Sequence, residues 1–268
     1  MVIPEIDRTN IDFDFVKATL NTKLIGNKIY SYNKVTSTNE LAKRIAEDME
    51  EGVVVAAEQQ TRGKGRQQRK WFSPKNTGIW MSIILRPSKH MDRLGLISLL
   101  SSISVCQAIE NLLDLKPKVK WPNDILVNKK KICGILIETE FAGNNLNNLV
   151  VGIGLNVNQK IYDFPEEIQM AATSLHIESK TVIDRDLLLI EILQCLDQQY
   201  SLFLDGKFSR IINSWTKRTI LSDNIVIQAE GINLSGLFWG IDEYGRLCLK
   251  VNNELIKINS GNVHILSY

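Results

Sequence analysis

The spacing of apolar residues changes near Leu221, and this change limits the fold more than any other feature of the sequence. From there to Tyr268 the chain contains only short alternating apolar and polar segments, which are typical of strands with one buried face. Turn-forming pairs separate these segments at Glu230-Gly231, Tyr244-Gly245, Asn252-Asn253 and Ser260-Gly261. Frequent turns between short strands predict a small β-barrel over residues 221–268.

Residues 1–220 combine helical and strand spacing, which predicts a separate α+β domain with a mixed sheet flanked by helices. One predicted helix spans Ile11 to Leu20. A second begins with a capping box at Ser37 to Glu40 and ends at Gly52, and a third spans Leu96 to Ile109. An amphipathic helix is predicted from Asp184 to Leu204, and the chain continues helically over Arg210 to Trp215. The predicted strands are Lys28 to Val35, Val53 to Ala57, Gly78 to Arg86, Asp124 to Val127, Lys131 to Thr139 and Leu149 to Leu155.

The composition predicts a cytoplasmic protein with no membrane partner. A formal net charge of +2 is too small for a protein that binds nucleic acid over its whole surface. The N-terminal segment carries Glu5 and Asp7 and lacks the apolar stretch of a signal peptide, and the run from Leu94 to Ile109 is too short to span a bilayer. The absence of a CxxC pair predicts buried free thiols at Cys106, Cys133, Cys195 and Cys248.

The segment from Gln60 to Trp71 carries five cations and no anion. Gly63 and Gly65 allow the backbone to approach a ligand, and arginine offers a planar fork that suits phosphate and carboxylate groups. The segment lacks the GK[ST] ending of a Walker A motif. By itself the pattern is equally typical of a nucleotide-binding loop and of a solvated basic loop or one that contacts nucleic acid.

Four other segments combine polar residues with features that suit a binding site. In the segment Ser37 to Asn39, a helix cap fully explains Ser37 and the following Glu40, although a helix N-terminus also holds the polar end of a ligand well. In Lys120 to Asp124, the aspartate could hold a cation or be an ordinary turn residue. Lys131 begins an apolar strand and is the lysine of its cluster that we expect to point inward, and Gly134 indicates a close approach. Two glycines in Gly152 to Asn156 predict a slot beside the sheet.

Taken in order, these segments resemble the biotin protein ligase family. The resemblance runs from about residue 28 to the end and covers Ser37 to Asn39, Ala57 to Pro74, Lys120 to Asp124, Lys131 to Glu138 and Gly152 to Asn156. It implies a class II synthetase-like catalytic domain with a small C-terminal SH3-like β-barrel. It also implies a reaction in which biotin and MgATP form biotinyl-5′-AMP, followed by transfer of biotin to a lysine of a biotin carboxyl carrier protein domain.

The resemblance also implies roles for individual residues, since a carboxylate that attacks a phosphate needs its charge offset. Biotin would be bound by Ser37, Thr38, Asn39, Gln60, Lys64, Gly65, Arg66, Lys131 and Gly134. The nucleotide would be bound by Gly63, Lys64, Arg66, Trp71 and Lys131. Arg66 and Lys131 would be catalytic, and Asp124 would support magnesium.

The sequence departs from the family pattern in two places. The family loop usually reads GRGRRG, whereas this chain reads GKGRQQ over residues 63–68. Lys64 keeps the charge of the arginine, and we expect Gln68, in place of a glycine, to stiffen the loop. Only 36 residues precede Ser37, too few for the DNA-binding domain of some members, so we expect a monofunctional ligase without a DNA partner. A lipoate or other small-acid ligase and a nucleic-acid-binding protein remain alternatives, and a homodimer remains open.

Overall fold

The computed structural model describes residues 10–143, 145–229, 232–261 and 263–267. The predicted turn at Glu230-Gly231 and the acidic residues Glu5 and Asp7 lie outside the described residues.

A seven-stranded sheet forms the centre of the N-terminal part, and the predicted mixed sheet is confirmed. Its strands are β1 (Ile29–Tyr32), β2 (Val54–Ala57), β3 (Gly78–Leu85), β4 (Lys118–Lys120), β5 (Asp124–Val127), β6 (Lys130–Ala142) and β7 (Asn145–Asn156). Their order is β1-β2-β3-β7-β6-β5-β4. The β1–β2 pair is parallel and the other pairs are antiparallel. The hairpin of β6 and β7 is longer than predicted and continues past the apolar positions into polar residues.

Helices flank the sheet, as expected for this class of fold. They are α1 (Phe13–Thr19), α2 (Thr38–Ile45), α3 (Gly95–Leu112), α4 (Leu175–Ser179), α5 (Arg185–Leu204) and α6 (Phe208–Thr216). The helix after Ser37 is shorter than predicted, because a 3₁₀ turn at Ala46–Asp48 follows Ile45 and the chain leaves the helix before Gly52.

The predicted helical segment from Arg210 to Trp215 is confirmed as part of α6, which a turn at Gly206, with a φ of 71°, separates from α5. The predicted amphipathic character of α5 was wrong, because α5 is covered on most sides by α1, α3 and α6. An internal helix of this kind has apolar residues around its circumference and gives no clear one-sided pattern.

Helix α3 is 18 residues long, and by length and composition it could cross a membrane. Inside this fold 67% of it is buried. Its serine hydroxyls bond within the helix, for example Ser101 to the Ile97 carbonyl at 2.7 Å. The helix packs between α5 and the sheet as part of the core.

The C-terminal part is an all-antiparallel sheet, which confirms the predicted all-β fold. Its strands are β8 (Asn224–Ala229), β9 (Ile232–Ile241), β10 (Leu247–Val251), β11 (Glu254–Ile258) and β12 (Val263–Ser267), in the order β11-β10-β9-β8-β12. The predicted turn at Asn252 and Asn253 is present, with φ values of 50° and 68° that asparagine tolerates well.

The C-terminal sheet packs directly against the central domain. The indole N–H of Trp121 donates to the carbonyl of Gly245 at 3.2 Å. Gly95, at the start of α3, lies against the turn at Tyr244 in the C-terminal sheet, and a Cβ added to Gly95 would be 2.5 Å from the Tyr244 carbonyl oxygen. These contacts place the C-terminal sheet behind the Lys120 to Asp124 segment.

The described part of the N-terminal segment also packs on the central domain. Backbone N–H groups donate to buried carboxylates, from Ile11 to Glu58 at 2.6 Å and from Ile25 to Asp197 at 2.9 Å. Arg185 neutralises Glu58 at 2.9 Å, so this buried carboxylate is paired.

The predicted buried free thiols are confirmed for all four cysteines. Burial raises the pKa of Cys195 to about 12, and it raises the pKa of Cys106 and Cys133 as well. These thiols are therefore protonated at neutral pH and poor nucleophiles.

Candidate active site

A cavity of about 480 Å³ opens between the face of the sheet, the basic loop and the segment that follows β7. It is lined by every residue predicted for the site except Gly63: Ser37, Thr38, Asn39, Gln60, Lys64, Gly65, Arg66, Trp71, Asp124, Lys131 and Gly134. Segments that are far apart in sequence therefore meet in one place.

The N-terminus of α2 forms the uncharged end of the cavity. Ser37 caps the helix, and its hydroxyl accepts from the backbone N–H of Glu40. The carbonyl oxygen of the Gln60 side chain lies 2.8 Å from the Thr38 backbone nitrogen and 3.1 Å from the Thr38 hydroxyl. The Gln60 amide in turn donates to Ser73 at 2.9 Å. The helix cap therefore also lines the cavity, so capping the helix and facing the cavity are compatible roles for this segment.

The second half of the predicted capping box is replaced by an ion pair. The carboxylate of Glu40 lies 2.5 Å from Lys64 Nζ, so the helix start is tied to the basic loop. Their hydrogen bond raises the pKa of Lys64 and lowers the pKa of Glu40.

The slot predicted at Gly152 and Gly154 is present and holds two of the protein's own side chains. A Cβ at Gly152 would overlap the amide of Asn39, and a Cβ at Gly154 would overlap the indole of Trp71. Gly134 lies opposite Gly154 in the β6–β7 register and contacts the same indole. The three glycines let Asn39 and Trp71 lie flat against the sheet.

The cationic end of the cavity is centred on Lys131. Its Nζ lies 2.5 Å from a carboxylate oxygen of Asp124 and 5.1 Å from the centre of the Trp71 ring. Lys120 lines the same end, where burial lowers its pKa and Asp124 opposes that shift. With two lysines near a single carboxylate, this end carries positive charge that an anionic ligand would neutralise.

Arg66 joins the basic loop to the C-terminal sheet. Its guanidinium donates to the side-chain oxygen of Asn123 at 3.3 Å and to the carbonyls of Ser260 and Gly261. Burial lowers the pKa of Arg66, and Asp124 opposes this. Arginine still remains charged at neutral pH.

The rest of the loop is held in an unusual backbone conformation. Gln67 and Gln68 have φ values of 53° and 59°, the left-handed region that glycine adopts at lower cost. Gly63 lies outside the cavity lining and closes the loop, since its carbonyl accepts from the Trp71 N–H at 2.8 Å. Arg69 and Lys70, which could have been only solvated charges, are exposed but line the mouth of the cavity.

Sequence reasoning missed the apolar wall of the cavity. Four apolar residues of this wall follow β7 in a segment without helical or strand spacing: Phe164, Ile168, Ala171 and Ala172. Ile265 adds a side chain from the C-terminal sheet. A Phe-Pro pair among polar residues was the one local signal of a buried turn in that segment.

The described residues contain no group of three histidine, cysteine, aspartate or glutamate side chains that could hold a metal ion. Asp124, the predicted magnesium ligand, is paired with Lys131. One carboxylate is compatible with Mg²⁺ that is bound mainly through substrate phosphates, so the residues fit a metal that arrives with a nucleotide.

The fold is a mixed sheet flanked by helices with an antiparallel C-terminal sheet, and its cavity has an uncharged polar end and a cationic end. Residues 31–156 match the Biotin/lipoate A/B protein ligase family, and residues 224–265 match the Biotin protein ligase C terminal domain. The bifunctional ligase/repressor BirA of Bacillus subtilis is 34% identical over 255 residues, which cover 93% of this chain and 78% of that protein.

Two further proteins that this chain resembles are also named biotin ligases. A biotin–[acetyl-CoA-carboxylase] ligase of Mycobacterium tuberculosis is 29% identical over 218 residues, covering 80% of this chain and 79% of the relative. The biotin protein ligase of Aquifex aeolicus, solved with biotin and ATP, has a TM-score of 0.80 and 28% identity and covers 90% of this chain and 100% of that chain. The chain belongs to the biotin/lipoate protein ligase family, within its biotin protein ligase branch.

Proposed function

We propose that this protein is an ATP-dependent biotin protein ligase, which activates biotin to biotinyl-5′-AMP and transfers the biotinyl group to a lysine of a biotin carboxyl carrier protein domain, with release of AMP. One observation carries the proposal. A single cavity joins a neutral hydrogen-bonding end at Thr38 and Gln60 to a cationic end at Arg66 and Lys131. That order of chemistry matches a molecule with a neutral ureido ring at one end and a carboxylate at the other.

In the proposed reaction the carboxylate of biotin attacks the α-phosphate of ATP, and pyrophosphate leaves. Arg66 and Lys131 offset the negative charge where the biotin carboxylate meets the α-phosphate. Lys64, on the same loop as Arg66, adds a further positive charge. Trp71 lies against Gly134 and Gly154, with Lys131 Nζ 5.1 Å from the centre of its ring, and its indole would stack on adenine. Asp124 holds Lys131 at 2.5 Å and thereby positions its ammonium group.

Magnesium, the acceptor and the location complete the proposal. Mg²⁺ would accompany ATP and stand near Asp124, where it supplies charge neutralisation for the phosphates. The acceptor is a carrier-domain lysine, as the names of the ligases from Mycobacterium tuberculosis and Paracoccus denitrificans indicate for those proteins. The free thiols support a reducing compartment, the cytoplasm.

The decisive experiment measures pyrophosphate release by the purified protein with ATP and Mg²⁺. We expect release with biotin and none above background with lipoate, followed by mass gain on an added carrier domain. Release with lipoate but not biotin would assign the chain to the other branch of its family. Salt-dependent binding of duplex DNA would add a nucleic-acid partner that the proposal does not include.

We expect Gly154→Ala to raise the KM for ATP at least tenfold. The new Cβ would overlap the Trp71 indole and force it away from the sheet, into the space where we place adenine. Steady-state kinetics at saturating biotin measure the effect. In the double variant with Trp71→Phe, the two losses should not add, because the displaced ring is already smaller. Fully additive losses would show that Gly154 and Trp71 act independently.

A further inference from the structure

Lys131 faces the cavity because strand β6 contains a bulge. The register of β6 against β5 shifts by one residue between Lys131 and Cys133, so Ile132 is an extra residue on β6. Ile132 and Cys133 are consecutive, and yet both are 0% exposed in the same core cluster. Lys131 therefore shares a face with Gly134, and a Cβ added to Gly134 would be 3.5 Å from Lys131 Nζ. Without the bulge, residues three apart on a strand would face opposite sides of the sheet.

The backbone of Lys131 is held by the segment after β7, which also forms the apolar wall of the cavity. The Lys131 N–H donates to the Ala171 carbonyl at 2.8 Å, and the Lys131 carbonyl accepts from the Thr173 N–H at 2.9 Å. The two bonds form a short parallel bridge between Lys131 and Ala172. They take the place of β7, whose pairing with β6 begins at Cys133. These bonds therefore fix the point from which the Lys131 side chain extends.

Thr173 is in turn held by Glu178 of α4. Thr173 is 1% exposed, so its hydroxyl needs a partner within the protein. It donates to one carboxylate oxygen of Glu178 at 2.6 Å. The other carboxylate oxygen accepts from the side-chain amide of Asn128 at 2.6 Å, in the turn that leads into β6. Hydrogen bonds to a charged acceptor are about twice as strong as neutral ones, so one carboxylate firmly ties the segment beside Lys131 to the turn before it.

We infer that Glu178 is a positioning residue for Lys131. Through Thr173 and Asn128 it holds the backbone at the bulge, and so it aims the Lys131 ammonium group at the cationic end of the cavity. The inference rests on the proposed function, in which that group offsets the charge of the reacting anions. Asp124 contacts the ammonium group itself, whereas Glu178 lies outside the cavity lining and acts without touching a ligand. Misplacement of a reacting group by about 1 Å can slow a reaction about a hundredfold.

The variant Glu178→Ala removes the carboxylate. The turn and the segment after β7 then lose their common anchor, and we expect adenylate formation at saturating biotin and ATP to slow about tenfold or more. Rapid-quench kinetics measure the rate. An unchanged rate would overturn the inference.

Biotinyl alcohol, which is biotin with its carboxylate reduced to an alcohol, reports on the neutral end of the cavity alone. Because it has no charge for Lys131 to offset, its Kd for Glu178→Ala should stay within about twofold of wild type. Titration calorimetry without ATP measures this Kd. Weakening of alcohol binding by the same factor as the loss of rate would indicate a damaged cavity and would overturn the inference.

A double variant shows whether the effect passes through Lys131. In the background of Lys131→Met there is no ammonium group to place, so adding Glu178→Ala should lower the remaining rate by less than about twofold. A general loss of structure would lower the rate by the same factor in both backgrounds, and that result would refute the positioning role.

Thr173 offers a matched pair of variants for the link between Glu178 and Lys131. Thr173→Val removes the hydroxyl at nearly constant size and should slow adenylate formation about fivefold or more. Thr173→Ser keeps the hydroxyl and should recover most of the rate lost in Thr173→Val. Equal rates in the two variants would show that the hydrogen bond to Glu178 contributes nothing to turnover.

Glu167→Ala is the control for the loss of a carboxylate from the same part of the chain. Glu167 is exposed and lies outside the cavity lining, so the rate should stay within about twofold of wild type. A loss equal to that of Glu178→Ala would assign the effect to overall charge and refute the inference. Thermal unfolding of each variant verifies the fold. A wild-type protein that forms no adenylate from biotin would instead refute the proposed function, and with it the inference.

Discussion

Replacing Lys131 with methionine is expected to slow biotin-dependent pyrophosphate release at least a hundredfold. The ammonium group stands at the cationic end of the cavity, within 2.5 Å of Asp124, and methionine keeps much of the side chain's length without its charge. Loss of one preorganised group that stabilises transition-state charge typically costs about a hundredfold or more. Rapid-quench measurement of adenylate formation with saturating biotin and ATP isolates the step. The Asp124 oxygen that pairs with Lys131 is buried, so thermal unfolding of the variant is needed to show that the fold persists.

Lys130→Met is the control for Lys131→Met. The two lysines are neighbours on β6, but Lys130 does not line the cavity. We expect its adenylation rate to remain within about twofold of wild type, because the half-buried Lys130 lies outside the cavity and solvent screens its charge from the reacting groups. Equal losses in the two variants would show that the general charge of the hairpin matters and not the ammonium group of Lys131.

The parts of this molecule that the sequence predicts well are those with local causes. Runs of apolar residues and helical spacing located six strands of the central sheet and helix α3, but not β4, which is only three residues long. In the C-terminal part they predicted an all-β fold without the bounds of its strands. The Ser37 cap and the asparagine turn at Asn252 were predictable from side-chain chemistry within a few residues. The site residues followed from motifs whose order resembles a known family, and that resemblance, not their spacing, brought them together.

What the sequence could not predict depends on contacts between distant segments. Helix α5 has no one-sided apolar pattern, because other helices cover most of its surface. Nothing near Glu40 shows that it pairs with Lys64, and nothing near Gly154 shows that its missing side chain makes room for Trp71. Glu138 is likewise an ordinary strand glutamate until the Asn39 amide is placed against it. Such pairings become visible only when the sheet register brings the segments together.

The second large effect is expected at Arg66, where Arg66→Met should lower kcat/KM for ATP at least a hundredfold. The guanidinium reaches Asn123 and the carbonyls of Ser260 and Gly261, so it holds the basic loop against both the central domain and the C-terminal sheet. Its loss removes a cation from the cavity and also the attachment of the loop. Arg66→Lys keeps the charge but cannot donate to three separated acceptors as a planar fork does, and we expect a loss of about tenfold.

Comparing Arg66→Met with Arg66→Lys separates the effect of the Arg66 charge on kcat/KM from the effect of the guanidinium geometry. Arg62→Met tests whether losing any cation of the basic loop has the same effect. Arg62 is exposed and does not line the cavity, so its variant should keep kcat/KM within about twofold of wild type. Full activity of Arg66→Lys would mean that a point charge suffices and that the contacts with Ser260 and Gly261 contribute nothing to turnover. Activity equal to that of Arg66→Met would mean that the fork geometry, which ties the loop to the C-terminal sheet, contributes the whole effect.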